Sequence, residues 1–282
     1  MLDEDRLAGR AMAVMGERAL LDTQAAFDGV AAEYDRSNAQ NPALRAMRRR
    51  VLDCVGRVVP RGSHVLDLGC GPGEDDEALA REGYRVTAID WSPEMVKEAR
   101  HRLRSVHDRV TVHHVGIHQL ERLGLGPFDA AYSNFGPLNC VPDLADAARQ
   151  IGERLRPGAA LVASVIGRIC PWEMALYGAR GDLARVRLRF ARAPVPVPLK
   201  GRTVWTRYYT PGEFARAFET AGFTRVSLRS LGLLAPPPYL EGFATRHASM
   251  HAWLHRLDDL VGTWPVLRQA GDHFLIVLRK AG

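Results

Sequence analysis

The chain predicts an α/β fold: a mostly parallel sheet with helices on both faces, carried by a single large domain. Three observations predict it. Between residues 65 and 166, five short apolar runs alternate with segments of helical period. The first run leads directly into glycines at every second position, Gly69, Gly71 and Gly73. Pro and Gly then punctuate the helix ends, as at Pro60-Arg61-Gly62 and Arg156-Pro157-Gly158. At 282 residues, with 46% hydrophobic and 25% charged residues, the chain is long enough for one well-buried domain plus appendages.

Residues 1–24 read as an N-terminal helical extension in which Leu7, Met12, Met15 and Leu20 give only a loose apolar stripe. The domain proper is expected over 25–282. Helical pattern runs from Ala25 to Val59, broken at Ser37-Asn38 and at Asn41-Pro42, where a new helix starts. Val65 to Leu68 is the first strand, Glu74 to Glu82 a helix, Arg85 to Ile89 the second strand and Pro93 to Leu103 the next helix. Val110 to Val115 and Phe128 to Ser133 follow as strands, then a helix over Leu144 to Leu155 and a fifth strand over Leu161 to Ile166. After Gly167 the rhythm breaks. Residues 170–200 combine a helix, an Arg-alternating stretch and the rigid segment Ala193 to Pro198, and read as an insertion. Thr203 to Tyr209 is a strand, Pro211 opens a helix that Gly222 closes, and Arg225 to Ser230 is a strand. A largely helical insertion over 236–271 precedes the last strand, Phe274 to Leu278. Both insertions are expected to form a substrate lid.

The chemistry-bearing motif is Val65-Leu66-Asp67-Leu68-Gly69-Cys70-Gly71-Pro72-Gly73. Glycines there let the backbone turn and let a ligand lie against it at the carboxyl end of a strand. Asp90 closes the next strand, the position from which a carboxylate holds ribose hydroxyls. Two ligands fit this much, a dinucleotide with a pyrophosphate or a nucleoside bearing positive charge. The dinucleotide pattern needs glycine at 74, where Glu74 stands, and the acids Glu74, Asp75, Asp76 and Glu77 would repel a pyrophosphate at that helix start. The charge pattern favours a cationic nucleoside.

The segments VLDLGCGPG, VTAIDWSPEMVKEAR, FDAAYSNFGPLNCV, LRPGAALVASV and YYTPGEFARAFETAGF resemble the successive motifs of class I S-adenosylmethionine-dependent methyltransferases. The similarity is to the small-molecule branch that includes the ubiquinone/menaquinone-type enzymes. It implies a Rossmann-like, seven-stranded sheet whose last strand is antiparallel, and S-adenosyl-L-methionine as cofactor. By the resemblance, Asp67, Gly69, Gly71 and Gly73 surround the methionine moiety, Asp90 holds the ribose, and Trp91 and Met95 flank the adenine. Met95 taken alone reads equally as a core helix residue. The family often carries Gly-Asp after the third strand; Gly116-Ile117 stands here, which leaves adenine recognition to backbone groups of Ile117 and His118. Asn134 ends the fourth strand, where it either contacts the methionine end or caps a turn. Tyr34 resembles the aromatic that relatives fold over the donor from the N-terminal helices.

The catalytic residue is left open, with Tyr34, His247 and His251 as candidates; His247, His251 and His255 recur every four residues along one helix face. No carboxylate pattern completes a metal ligand set, so no metal is expected. The implied activity is methyl transfer to O, C or N of a small molecule. The alternatives are an RNA methyltransferase, motivated by the net charge of +6 and the run Arg45 to Arg50, and a donor-binding protein of the same fold without transfer. That run otherwise reads as a solvated helix face, and a nucleic-acid partner is not expected. Four unpaired cysteines, an acidic N-terminus and no apolar run of about 18 residues point to a cytoplasmic protein.

Overall fold

The computed structural model describes residues 16–39 and 41–282. Most of the expected N-terminal extension, residues 1–15, lies outside the described residues. Helix α1 covers 16–28 and is followed by α2 (Ala31–Ala39) and α3 (Pro42–Val58). The Asn41 side chain caps α3 by accepting from the amides of Ala43 and Leu44, and Pro42 occupies the first turn, where its missing N–H has no partner to lose.

The central alternation then runs β1 (His64–Leu68), α4 (Glu74–Arg81), β2 (Arg85–Asp90), α5 (Pro93–Arg102), β3 (Val110–His114), β4 (Phe128–Ser133), α6 (Leu144–Arg154) and β5 (Leu155–Ile166). Two short helices follow, α7 (Pro171–Ala179) and α8 (Leu183–Leu188), then a hairpin of β6 (Val195–Leu199) and β7 (Arg202–Thr206). Helix α9 (Pro211–Glu219) opens with a reciprocal capping box between Thr210 and Glu213. The chain ends with β8 (Phe223–Leu231), α10 (Glu241–Arg246), α11 (Ala248–Val261) and β9 (His273–Lys280).

Seven strands form one sheet in the order β3-β2-β1-β4-β5-β9-β8, and only β9 runs antiparallel to its neighbours. This is the Rossmann-like arrangement with an antiparallel last strand. Strand alternation splits the core in two. Leu66, Leu68, Ile89 and Leu161 pack with Ile151, Phe214 and Phe218 on the face covered by α6 and α9. Val65, Val86, Val162 and Val277 pack with Met47, Val51, Leu79 and Ala99 on the face covered by α3, α4 and α5.

Two elements differ from the sequence reading. Strand β5 begins at Leu155, six residues before the expected start, because Leu155 pairs with Phe128 ahead of a register irregularity in that ladder. The Thr203–Tyr209 strand stays off the main sheet; it stops at Thr206 and pairs with Val195–Leu199, the segment expected to be a rigid proline run. A two-stranded ribbon leaves each strand with an open edge, and there Pro196 and Pro198 remove no ladder hydrogen bond.

A buried ion cluster fixes the first insertion. Arg189 pairs with Glu173 and with Asp272 and also donates to the Gly167 carbonyl at 2.8 Å. Both Arg189 and Asp272 are buried, and the guanidinium and His273 together hold the Asp272 carboxyl well below the usual carboxylate range.

Candidate active site

A cleft of about 320 Å³ opens at the carboxyl ends of β1, β2 and β4, the edge where open α/β sheets take ligands. Leu20, Thr23, Gln24 and Phe27 of α1, Tyr34 of α2, and Val197, Leu199 and Val204 of the hairpin close over it. Gln24 anchors α1 by donating to the Trp91 carbonyl at 2.8 Å.

The glycine loop is positioned by its own backbone. Gly69 and Cys70 both donate to the Ile89 carbonyl, which binds the loop to β2. Gly69 has φ +89°, and a β-carbon there would sit 2.4 Å from Pro137, so glycine is required twice over. Gly71 (φ +52°) faces open space in the cleft, and its amide donates to Asp90 Oδ2 at 2.8 Å. Gly73 lies behind the loop: it caps α4 at φ +82°, its missing β-carbon makes room for Leu103, and it does not line the cleft.

Asp90 stands on the cleft wall with each oxygen already held by one amide, Oδ2 by Gly71 and Oδ1 by Ser92 at 2.8 Å. Remaining lone pairs point to a ligand. Burial pushes its pKa up against those hydrogen bonds. Asp67 is 2% exposed, and its Oδ1 has no hydrogen-bond partner among the described residues. Asp76 is fully buried in the same region with neither oxygen bonded. Burial raises both carboxyls first, and the nearby Asp76 carboxyl raises Asp67 further. An orphaned carboxylate oxygen at a ligand cleft fits a cationic group such as an ammonium.

At the other wall Trp91 stacks on His114 at 5.7 Å and meets His118 edge-on at 4.7 Å. Its buried Nε1 also has no partner among the described residues. Ile117 and His118 begin a 3-10 turn at the cleft, so their amides precede any acceptor within that turn. Met95 is 1% exposed and lines the cleft, so packing and ligand contact coincide at that residue.

The sequence reading missed a charged network at the end of β4. Arg48 of α3 pairs with Asp75 at 2.6 Å and Glu74 at 2.8 Å. Asp75 Oδ2 accepts from the Tyr132 hydroxyl at 2.9 Å and from Asn134 Nδ2 at 3.0 Å. Asn134 therefore orients Asp75, while its Oδ1 accepts from the Phe135 amide. Phe135 has φ +59°, rare for an aromatic residue, and its ring lies under Arg48 at 5.1 Å. Backbone strain at a strand end beside a cleft was the one feature that no sequence signal announced.

Three expectations are corrected. The run Arg45 to Arg50 is not uniformly solvated: the Arg48 and Arg50 side chains are 14% and 12% exposed because α3 crosses α4 on one side and α11 on the other. The acids Glu74 to Glu77 are not a bare negative field, since Arg48 answers the first two, Arg81 and Arg102 answer Glu77, and Asp76 is buried with Asp67. Finally, neither candidate base on α11 reaches the cleft. His247 is exposed at the α10–α11 junction, and His251 is buried facing α3. Of the insertion 236–271 no residue lines the cleft.

The sheet order, the glycine loop after β1 and the acid closing β2 together define a Rossmann-like α/β domain with a cleft at the carboxyl ends of its strands. Residues 65–158 match the family model of the methyltransferase domain. The chain is 39% identical over 163 residues to a ubiquinone biosynthesis O-methyltransferase of Xylella fastidiosa, covering 56% of this chain and 64% of that protein. It is 38% identical over 151 residues to the ubiquinone biosynthesis O-methyltransferase of Xanthomonas campestris, covering 52% and 61%. The chain thus spans under two thirds of the length of the curated relatives it matches. A 1,6-didemethyltoxoflavin-N1-methyltransferase from Burkholderia thailandensis, solved with its substrate and S-adenosylhomocysteine, shares the fold at a TM-score of 0.59 with 17% identity, over 95% of this chain and 91% of that one. No helix among the described residues is long and apolar enough to cross a membrane.

Proposed function

We propose that this protein transfers the methyl group of S-adenosylmethionine to a small, largely apolar acceptor bound in the same cleft. The observation that carries this reading is Asp90, held by two amides at the end of β2 and facing the cleft beside the open Gly71. In this reading Asp90 accepts from the ribose hydroxyls, Asp67 from the methionine ammonium, and Trp91, Met95, Ile117 and His118 enclose the adenine. Arg48 is the one Lys or Arg on the cleft wall among the described residues, which suits the donor carboxylate. Tyr34, packed with Phe27, Met95 and Leu199, closes over the donor, and the β6–β7 hairpin serves as lid.

When held by Asp90, Asp67 and Arg48, the donor would supply an electrophilic methyl group on a cationic sulfur, with a neutral thioether as the leaving group. The residues present act by orientation and by excluding water. Neither Cys140 nor Tyr34 serves as a base at the acceptor side: burial pushes the Cys140 thiol up to about 12 and raises Tyr34, so both stay protonated near neutral pH. An acceptor that attacks through a lone pair, or that ionises by itself, fits this wall.

Incubation of the protein with methyl-labelled donor and a metabolite extract, followed by product analysis, tests the reading. Label in a small acceptor supports it. Tight donor binding with no label in any acceptor would sink methyl transfer while leaving the donor site; label retained in RNA would move the acceptor to nucleic acid.

A further inference from the structure

On the edge of α3 turned away from the cleft, a second groove runs between α3 and α11. Arg45, Arg49 and Arg57 of α3, Arg229 of β8 and Arg256 of α11 line it, opposed only by Asp53 and Asp259. Asp259 is already shared by Arg50 at 2.5 Å and Arg229 at 3.5 Å. Arg45, Arg49, Arg57 and Arg256 make no hydrogen bond or ion pair among the described residues, and all four are exposed. Four unpaired guanidinium groups on one groove raise a positive potential that favours an external anion.

The outer face of α11 continues this groove with a different chemistry. Met250, Trp253 and Leu260 on the helix, and Trp264 and Val266 just after it, are 44%, 56%, 68%, 57% and 80% exposed. Single exposed apolar residues need no explanation, but five within seventeen positions make a ridge. An arginine-lined groove bordering a ridge of tryptophan and aliphatic side chains is the pattern of a helix that lies in a membrane interface. We infer that the α3–α11 face docks on an anionic phospholipid surface, its arginines over the headgroups and the Trp253 to Val266 ridge in the acyl boundary. Single-stranded RNA fits less well, because three of the five ridge side chains, Met250, Leu260 and Val266, have no ring for a base to stack on, whereas all five suit an acyl boundary. A second copy across a twofold axis fits less well still, since it would bring the same unpaired arginines together.

The test uses the full chain and sedimentation with vesicles. Binding to phosphatidylcholine vesicles doped with phosphatidylglycerol, absent with phosphatidylcholine alone and weakened by salt, is the expected result. The double variants Arg45→Glu with Arg49→Glu, and Trp253→Ser with Leu260→Ser, are each expected to lower partitioning about tenfold. Unchanged S-adenosylmethionine affinity in both variants shows that they remain folded, as none of these four residues lines the cleft. Absence of binding to the doped vesicles overturns the inference. So does a ridge variant that binds as the wild type does while an RNA oligonucleotide competes for the groove, or a ridge variant whose only effect is to dissolve a dimer.

Discussion

The two segments inserted around the antiparallel edge of the sheet touch each other where Trp172 meets Phe243 and Tyr239 donates to Glu173, yet the hairpin of the first and helix α11 of the second reach different places. The first, 170–200, feeds the β6–β7 hairpin across the cleft, where Val197 and Leu199 join its wall. The second, 236–271, lays α11 against the far edge of α3 through Arg50, which bonds the His255 carbonyl and Asp259, and lines no part of the cleft. Both look alike as interruptions of a strand–helix rhythm. What separates them is partner choice: a short hairpin can bridge a cleft with its own hydrogen bonds satisfied, whereas α11 has to bury His251, His255 and Asp258 against a neighbour.

The joint between the insertions is the first place to break that contrast. Arg189 ties Glu173 of the first to Asp272, which follows the second, in a site almost without solvent. Arg189→Met leaves the buried Asp272 carboxylate with His273 alone and takes the arginine from Glu173, and a loss of about 3 kcal/mol in chemical denaturation is expected; a loss under about 1 kcal/mol would mean the insertions are held by other contacts. Next comes the cleft itself. Asp90→Ala removes the acceptor proposed for two ribose hydroxyls, and the dissociation constant of S-adenosylmethionine by calorimetry should rise about a hundredfold, or about 3 kcal/mol. Trp253→Ser, on the second insertion, should leave that constant unchanged. Equal effects of the two substitutions would erase the distinction drawn between the regions.

The smallest effect has the opposite sign. Burial raises the folded-state pKa of Asp67 and takes that of Asp76 to about 7, both above their ordinary values. Stability from these protonated acids is full at low pH and is lost as pH rises through the folded-state values. The ligand-free protein should therefore melt at lower temperature at about pH 8 than at about pH 5. Asp76→Asn should flatten that decline and stabilise the protein at the higher pH by on the order of 1 kcal/mol. A variant that melts no higher at about pH 8 would show that the buried Asp76 carboxyl does not destabilise the protein there.

Some of the site was legible before any coordinates. The glycine spacing and the acid ending the next strand located the Gly71–Asp90 contact, because a positive φ and a strand end are local properties. The run Arg45 to Arg50 concealed three different fates: Arg48 on the cleft, Arg50 on α11 and Arg45 with Arg49 in the basic groove. No pattern within the run distinguishes them, since a helix presents each residue about 100° from the last and the identity of each facing neighbour comes from elsewhere in the chain. Of the three histidines at four-residue spacing, His251 and His255 share a face of α11 that turns to α3 and away from the cleft, whereas His247 lies exposed just before the helix. Alternating prolines hid a strand, because the open edge that tolerates them exists only once the hairpin is formed.

The sequence by itself determined the sheet, its helices and the glycine loop, since these follow from side-chain period, helix caps and glycine conformation within a few residues. Only the tertiary structure decided which acids are paired, which arginine meets the cleft, that Phe135 is strained, and which insertion covers the site. Those outcomes depend on contacts between residues far apart in the chain, such as Arg48 with Asp75 and Arg189 with Asp272, whose energies appear only when packing has excluded the water between them.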